Sequence, residues 1–256
     1  MADIESLKSL AREVADAVQR QVRQEHAAHF STFGQEICMG ADGTVTQRID
    51  KVAEEAALEV IGQEVNVLSE EAGFIDNGRD YTLVLDPVDG TRNAVNGIPF
   101  YCTSIAIGRE RLSDVVYGLV RNLPTGDTYW AEKEQGAYLN GCPIRAHAAR
   151  QVPIYILVLG DSGNETTYRM ADRHNIRSLG AAALEICLVA AGAADLYLQG
   201  KDHLRVTDIA ASTLILREAG GEVFDARGKV LDMSLNLEER SSVLAAATPA
   251  VLEAIR

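Results

Sequence analysis

Apolar positions return at helical spacing in two stretches near the start of the chain. Across residues 3–22, Ile4, Leu7, Leu10, Val14, Ala17 and Val18 recur every three or four positions, which predicts an amphipathic helix. Across 50–62, Val52, Ala53, Ala56, Ala57, Val60 and Ile61 line one face of a second helix, and Gly62 is its stop signal. The segment between them, ICMGADGTVTQRI, carries glycines and reads as a loop. The period then changes. VNVLS, YTLVLD, CTSIAIG, DVVYGLVRN and DTYWAEK are short apolar runs bounded by turn residues, so they predict strands. NLPTGD supplies a turn between two of them, and QGAYLNGCPI predicts a tight hairpin.

The run RAHAARQV, from Arg145 to Val152, has weak patterning and marks a boundary between two domains, 1–148 and 149–256. Beyond it, IYILVLG reads as a buried strand, ALEICLVAAGAADLYLQG as helix, glycine stop and strand, and TDIAASTLILREAGG as a capped helix ending at a glycine pair. GEVFDA predicts a strand, and SSVLAAATPAVLEAIR a strand followed by a helix. No internal repeat is visible. The expected class is an α+β half followed by an α/β half.

Charge narrows the partners. The 37 acidic against 24 basic residues leave a net charge of −13, which argues against nucleic acid, whose phosphates need a basic surface. No apolar run is long enough to span a bilayer. The opening MADIESLKSLAREVADAV alternates charged and apolar residues unlike a secretory signal, so a cytoplasmic location is expected. Cys38, Cys102, Cys142 and Cys187 lack zinc-ligand spacing and read as reduced, mostly buried thiols, with a disulfide open to a hyperthermophilic source.

Three acidic groupings stand out: Glu70-Glu71 in VLSEEAG, Asp86 and Asp89 in LVLDPVDGT, and Asp208 opening the TDIAA helix. Taken alone, Glu70-Glu71 is also compatible with a solvated surface pair and Asp208 with a helix N-cap. DPVDGT is more specific. The strand from Tyr81 to Leu85 is expected to stop at Asp86-Pro87, because proline lacks an N–H. Asp89-Gly90-Thr91 then turns the chain, and two carboxylates three residues apart can converge across that turn. Gly90 allows close backbone approach, and the amides that follow can open a helix toward an anion. Converging carboxylates repel one another and need protons or cations. Hard oxygen donors without Cys or His select Mg²⁺ or a similar ion. Two such ions clamp both oxygens of a phosphoryl displacement.

Together, Glu70-Glu71, DPVDGTRN from Asp86 and TDIAASTLILREAGG from Thr207 resemble the three linked motifs of the inositol monophosphatase superfamily, in order and spacing over nearly the whole chain. GADGTVTQRIDKVAEEAALEV and LRVTDIAA look like the archaeal-type branch, the dual fructose-1,6-bisphosphatase/inositol-1-monophosphatases. Two departures from the broader pattern favour that branch. Thr207 stands where Trp usually precedes the metal Asp, and Lys201 lies near where many inositol phosphatases place a Glu that contacts inositol.

The resemblance implies a layered αβαβα sandwich and a homodimer. It implies two or three Mg²⁺ per site: Glu70, Asp86 and the Val88 carbonyl for the first, Asp86, Asp89 and Asp208 for the second, and a third near Glu70 with Asp42. Thr91, with Asp50, would orient the attacking water, and Asp89, Gly90 and Thr91 would hold the scissile phosphate. Arg177, Ala182 and Arg205 match positions that contact the rest of the substrate, with surface or salt-bridging arginines as the plain alternative. The implied activity is Mg²⁺-dependent hydrolysis of fructose-1,6-bisphosphate and inositol-1-phosphate. A nucleotide or histidinol phosphatase of the same superfamily, or a non-catalytic homologue that binds a phosphorylated ligand, is the alternative.

Other motifs carry less. Gly160-Asp161-Ser162-Gly163 resembles a serine-protease nucleophile loop but lacks a matching His context, and reads as a turn. His26 and His29 share a helix face without a third ligand. No P-loop and no GxGxxG is present.

Overall fold

The computed structural model describes residues 3–29, 32–41, 43, 45–147, 151–172 and 175–248. Helices α1 (Ile4–His29) and α2 (Arg48–Ile61) flank a small hairpin of β1 (Glu36–Met39) and β2 (Val45–Gln47). The first helix runs seven residues past the predicted end. The predicted loop between the helices instead pairs as strands.

An eight-stranded sheet follows. It contains β3 (Asn66–Ser69), β4 (Gly73–Ile75), β5 (Thr82–Asp89), β6 (Cys102–Gly108), β7 (Tyr117–Asn122), β8 (Thr128–Glu132), β9 (Gly136–Leu139) and β10 (Cys142–Ile144), with the short α3 (Thr91–Val95) between β5 and β6. Its strand order is β10-β9-β8-β7-β6-β5-β3-β4, and only the β3–β5 pair is parallel. The second half supplies β11 (Ile154–Leu157), α4 (Glu165–Ala171), β12 (Asn175–Arg177), α5 (Ala182–Ala190), β13 (Leu196–Leu204), α6 (Val206–Glu218), β14 (Glu222–Phe224) and β15 (Ser241–Ala246). These strands form a five-stranded sheet, β12-β11-β13-β15-β14. Neither α4 nor β12 was predicted, because each is too short to show a period. The helix predicted after β15 lies outside the described residues. Among the described residues no helix is long and apolar enough to cross a membrane.

Side-chain alternation along the strands sets the layers. In β5 and β6, Leu83, Leu85, Ile105 and Ile107 pack with Leu7, Val14 and Ala57 of α1 and α2, while Val84 and Ala106 face the other way. In the second sheet Ile156, Tyr197, Val243 and Ala245 share that inner core, and Tyr155, Leu196, Leu198 and Leu244 pack with Met170 of α4. Helices α5 and α6 fill the space between the sheets, which completes an αβαβα sandwich. Residues Val206 through Leu216 of α6 are therefore buried on every side. A helix between two sheets has no solvent face, so small and apolar residues surround it. Gly118 of β7 makes the fit close, since a Cβ there would lie 2.7 Å from the Ala211 carbonyl oxygen.

Candidate active site

Two parallel strands and one bulge bring the carboxylates together. Leu68 pairs with Val84 and Ser69 with Leu85. The ladder continues through the Glu70 N–H, which donates to the Leu85 carbonyl at 3.4 Å. Glu70 and Asp86 thus follow Leu68 and Val84 onto the inner face. The predicted stop at Pro87 does not occur, and β5 runs on to Asp89. Between Asp86 and Asp89 its register against β6 slips by one residue, because Asp86 pairs with Ser104 and Asp89 with Cys102. Proline is tolerated at such a bulge, where the ladder does not need its N–H. On a regular strand, residues three apart point to opposite faces. The extra residue returns Asp89 to the face of Asp86.

The third contribution comes from α6. Asp208 lies one turn inside the helix rather than at its N-cap, which is Arg205. Its Oδ2 accepts the Arg205 backbone N–H at 2.8 Å. Oxygens of Glu70, Asp86 and Asp208 lie within 4.8 Å of one another. Burial raises Asp86 well above the ordinary carboxylate range, and the charges of Glu70, Asp89 and Asp208 add to the rise. The Arg205 guanidinium sits against this cluster, with Nη1 2.6 Å from Glu70 Oε1 and Nη2 2.9 Å from Asp208 Oδ1. Burial opposes the Arg205 charge, but Asp208 and Glu70 outweigh it and raise its pKa.

Asp89 faces the start of α5. Its Oδ1 accepts the Ala182 N–H at 3.1 Å, and its Oδ2 accepts the Ala183 N–H at 2.7 Å. Burial, reinforced by Asp208, raises its pKa to about 7 against the pull of these amides. The next residue, Gly90, has φ of 90° and caps α3. A side chain there would be strained and would press on the Gly180 and Phe100 carbonyls. Thr91 Oγ1 lies 2.8 Å from Asp50 Oδ1 and 2.9 Å from the Val88 carbonyl. Asp50 Oδ2 accepts the Gln47 N–H, and burial raises Asp50 to about 7. The residues from 50, 70, 86–91, 182 and 205–208 therefore form one constellation. Arg177 ends β12 exposed, with its Nη1 donating to the neighbouring Ile176 carbonyl. Asp42 lies outside the described residues.

Two acidic side chains with supporting contacts, Glu54 and Glu185, were not picked out in the sequence, and Glu71 stood out only as the neighbour of Glu70. Glu54 Oε1 accepts from Ser69 Oγ and from the Ala72 N–H, so one buried carboxylate brackets the Glu70-Glu71 turn. Glu71 accepts from Thr46 Oγ1, and its carbonyl accepts the Ala41 N–H, which ties the β1–β2 hairpin to the same turn. Glu185 Oε1 accepts the Leu179 and Gly180 N–H groups at 2.6 and 3.1 Å, just before the amides that hold Asp89. The available signals were Glu54 one turn after Asp50, and a lone acid in the apolar run ALEICL.

A family model described as "Inositol monophosphatase family" matches residues 3–256. This chain belongs to the inositol monophosphatase family. Among its relatives, the fructose-1,6-bisphosphatase/inositol-1-monophosphatase of Methanothermobacter thermautotrophicus is 38% identical, over 96% of this chain and 93% of its own. The protein of the same name from Archaeoglobus fulgidus is 36% identical, over 96% and 97%. A crystal structure of an inositol monophosphatase–fructose 1,6-bisphosphatase superposes with a TM-score of 0.85 at 28% identity, covering 97% of both chains. In this member of the inositol monophosphatase family the donor set suits a hard divalent cation. It consists of clustered carboxylate oxygens, one of them buried and raised by that burial and then by its neighbours, with no thiol or imidazole among them.

Proposed function

We propose that this chain is a Mg²⁺-dependent phosphomonoesterase that releases the 1-phosphate of fructose-1,6-bisphosphate and hydrolyses inositol-1-phosphate. The observation that carries the reading is the convergence of Glu70, Asp86 and Asp208 from three separate elements, beside Asp89 at the amides of α5. The names of the relatives above support the substrate class.

In this reading Glu70, Asp86 and the Val88 carbonyl hold one ion, Asp86, Asp89 and Asp208 a second, and Glu70 with Asp42 a third. When bound, the ions supply Lewis acidity and positive charge at the phosphate. The chain's own groups do the rest. The amides of Gly90 and Thr91 seat the phosphate at the start of α3. Thr91 Oγ1 accepts a proton from the attacking water and passes its own to Asp50 Oδ1, 2.8 Å away. The water oxygen bonds to phosphorus in line as the ester P–O bond breaks, and the leaving oxygen takes a proton from a solvent water, giving the alcohol and inorganic phosphate; Asp50 returns its proton to solvent. Ala182 lies against the substrate, with Arg177 farther out. Arg205 reaches the substrate only by exchanging its present partners, Glu70 and Asp208. The working form is a cytoplasmic homodimer, and the 1–148 and 149–256 segments act as its two domains.

The test is phosphate release from fructose-1,6-bisphosphate and inositol-1-phosphate, each with and without Mg²⁺. Release from both, abolished by chelation, is expected. A folded protein that releases phosphate from neither would overturn the assignment and direct assays to nucleotide and histidinol phosphates. Sedimentation reads the dimer directly.

A further inference from the structure

A further cavity opens beside the later residues of β13 and the start of β15. It measures about 450 Å³ and is lined by Lys201, Arg227 and Arg240 together with Asp202, Asp225 and Ser242. None of the clustered acids, nor Arg205, contributes to its wall. That volume falls in the range of small-molecule sites.

The charge there is reversed relative to the molecule. Three cations face two carboxylates in a chain of net charge −13. Both carboxylates are already engaged by the backbone. Asp202 Oδ1 accepts the Ser242 N–H at 2.7 Å, and Asp225 Oδ1 accepts the Arg227 and Lys229 N–H groups at 2.9 Å. Hydrogen bonds from Ser242, helped by the nearby Arg227 guanidinium, lower the Asp202 pKa, so it stays ionised.

The cations are less committed. Lys201 Nζ donates to the Asp161 carbonyl, and Arg240 Nη1 to the Leu237 and Glu239 carbonyls, contacts that leave further N–H groups on each. Arg227 makes no side-chain hydrogen bond among the described residues. The backbone frame is held in place. The β13–β15 register breaks between Gln199 and Leu204, and Asn164 Nδ2 donates to the Gly200 carbonyl at 2.9 Å, clamping the irregular stretch that carries Lys201.

We infer that this cavity binds a phosphate-bearing small molecule, with Arg227 and Arg240 as the principal anion contacts and Lys201 at the rim. Guanidinium groups suit phosphate because their N–H pairs match its oxygens. This inference is independent of the proposed hydrolysis, and its test need not involve turnover.

The experiment uses the chelator-treated full chain and inorganic phosphate as probe, followed by calorimetry. Without divalent ions the active-site carboxylates repel phosphate, so binding reports this cavity. One phosphate per chain is expected, with affinity falling as salt rises. Arg227→Ala combined with Arg240→Ala should weaken binding at least tenfold while Mg²⁺-dependent turnover stays within twofold. Arg227→Glu, at an exposed position whose side chain makes no hydrogen bond among the described residues, repeats the test in case the double variant folds poorly. Absence of phosphate binding by the chelated wild type would overturn the inference. So would unchanged binding in both variants.

Discussion

In the proposed reaction Asp89 and Asp50 carry the chemistry at the scale of single residues, and each is open to a clean substitution. Asp89 contributes charge rather than core packing, and its oxygens meet the Ala182 and Ala183 amides. Asp89→Asn keeps one carbonyl acceptor but loses the charge. Turnover should fall by about 10²-fold or more, with circular dichroism and melting temperature close to wild type. A fully active, Mg²⁺-dependent variant would remove Asp89 from the site. Asp50 must be ionised to take a proton from Thr91. Burial raises it to about 7, so kcat/KM should climb as pH rises into the neutral range, with bound cations moving the rise to lower pH. Asp50→Asn should erase both that limb and most of the rate. A pH–rate profile that kept its rising limb in Asp50→Asn would assign it to another group.

At the scale of elements, the site depends on how segment ends are held. Glu54 on α2 fixes the turn after β3 through Ser69 Oγ and the Ala72 N–H. Removing such an outer support commonly costs about 10–100-fold in metal affinity. Glu54→Ala should therefore raise the Mg²⁺ concentration for half-maximal activity, and weaken Mg²⁺ binding measured by calorimetry. Glu54→Gln retains an acceptor oxygen and should lie near wild type. Equal effects of the two variants would show that the carboxylate charge, and not turn placement, matters. Packing between elements is tested at β7 and α6. Gly118→Ala would drive a Cβ into the Ala211 carbonyl and the α6 backbone, neither of which can rotate away. Overpacking of this kind costs about 1–3 kcal/mol, so the melting temperature should fall by several degrees.

Over the whole molecule, the enclosed acids link stability to pH. Asp50, Asp89 and Glu185 are each raised to about 7, chiefly by burial. The folded chain therefore holds protons that the unfolded chain has released between about pH 4.5 and 7. The stability these groups contribute is full below their unfolded pKa values and is lost as pH rises through 7. Chelated protein should melt at a higher temperature at pH 6 than at pH 8. On the proposed assignment, Mg²⁺ at pH 8 should recover much of the difference, because only the folded cluster would bind it. A melting temperature independent of pH in chelated protein would contradict this account.

Much of this was legible along the chain. The three- and four-residue steps marked α1 and α2, the apolar runs marked most strands, and Glu70, Asp86, Asp89 and Asp208 stood out because carboxylates are unusual beside buried runs. These signals are local, since they depend on period, turn chemistry and residue type within a few positions. The rest arises from contacts between distant segments. The β5 bulge that puts Asp86 and Asp89 on one face exists only against β6. Arg205 meets Glu70 only because α6 begins where β3 ends. Glu54 and Glu185 look like ordinary helix acids until Ser69, Ala72, Leu179 and Gly180 fold onto them. The sequence by itself determined which residue types were available, and which elements would form around them. The tertiary structure decided which face each carboxylate takes and which cation balances it, because burial and Coulomb energy depend on distance in space and not on separation along the chain.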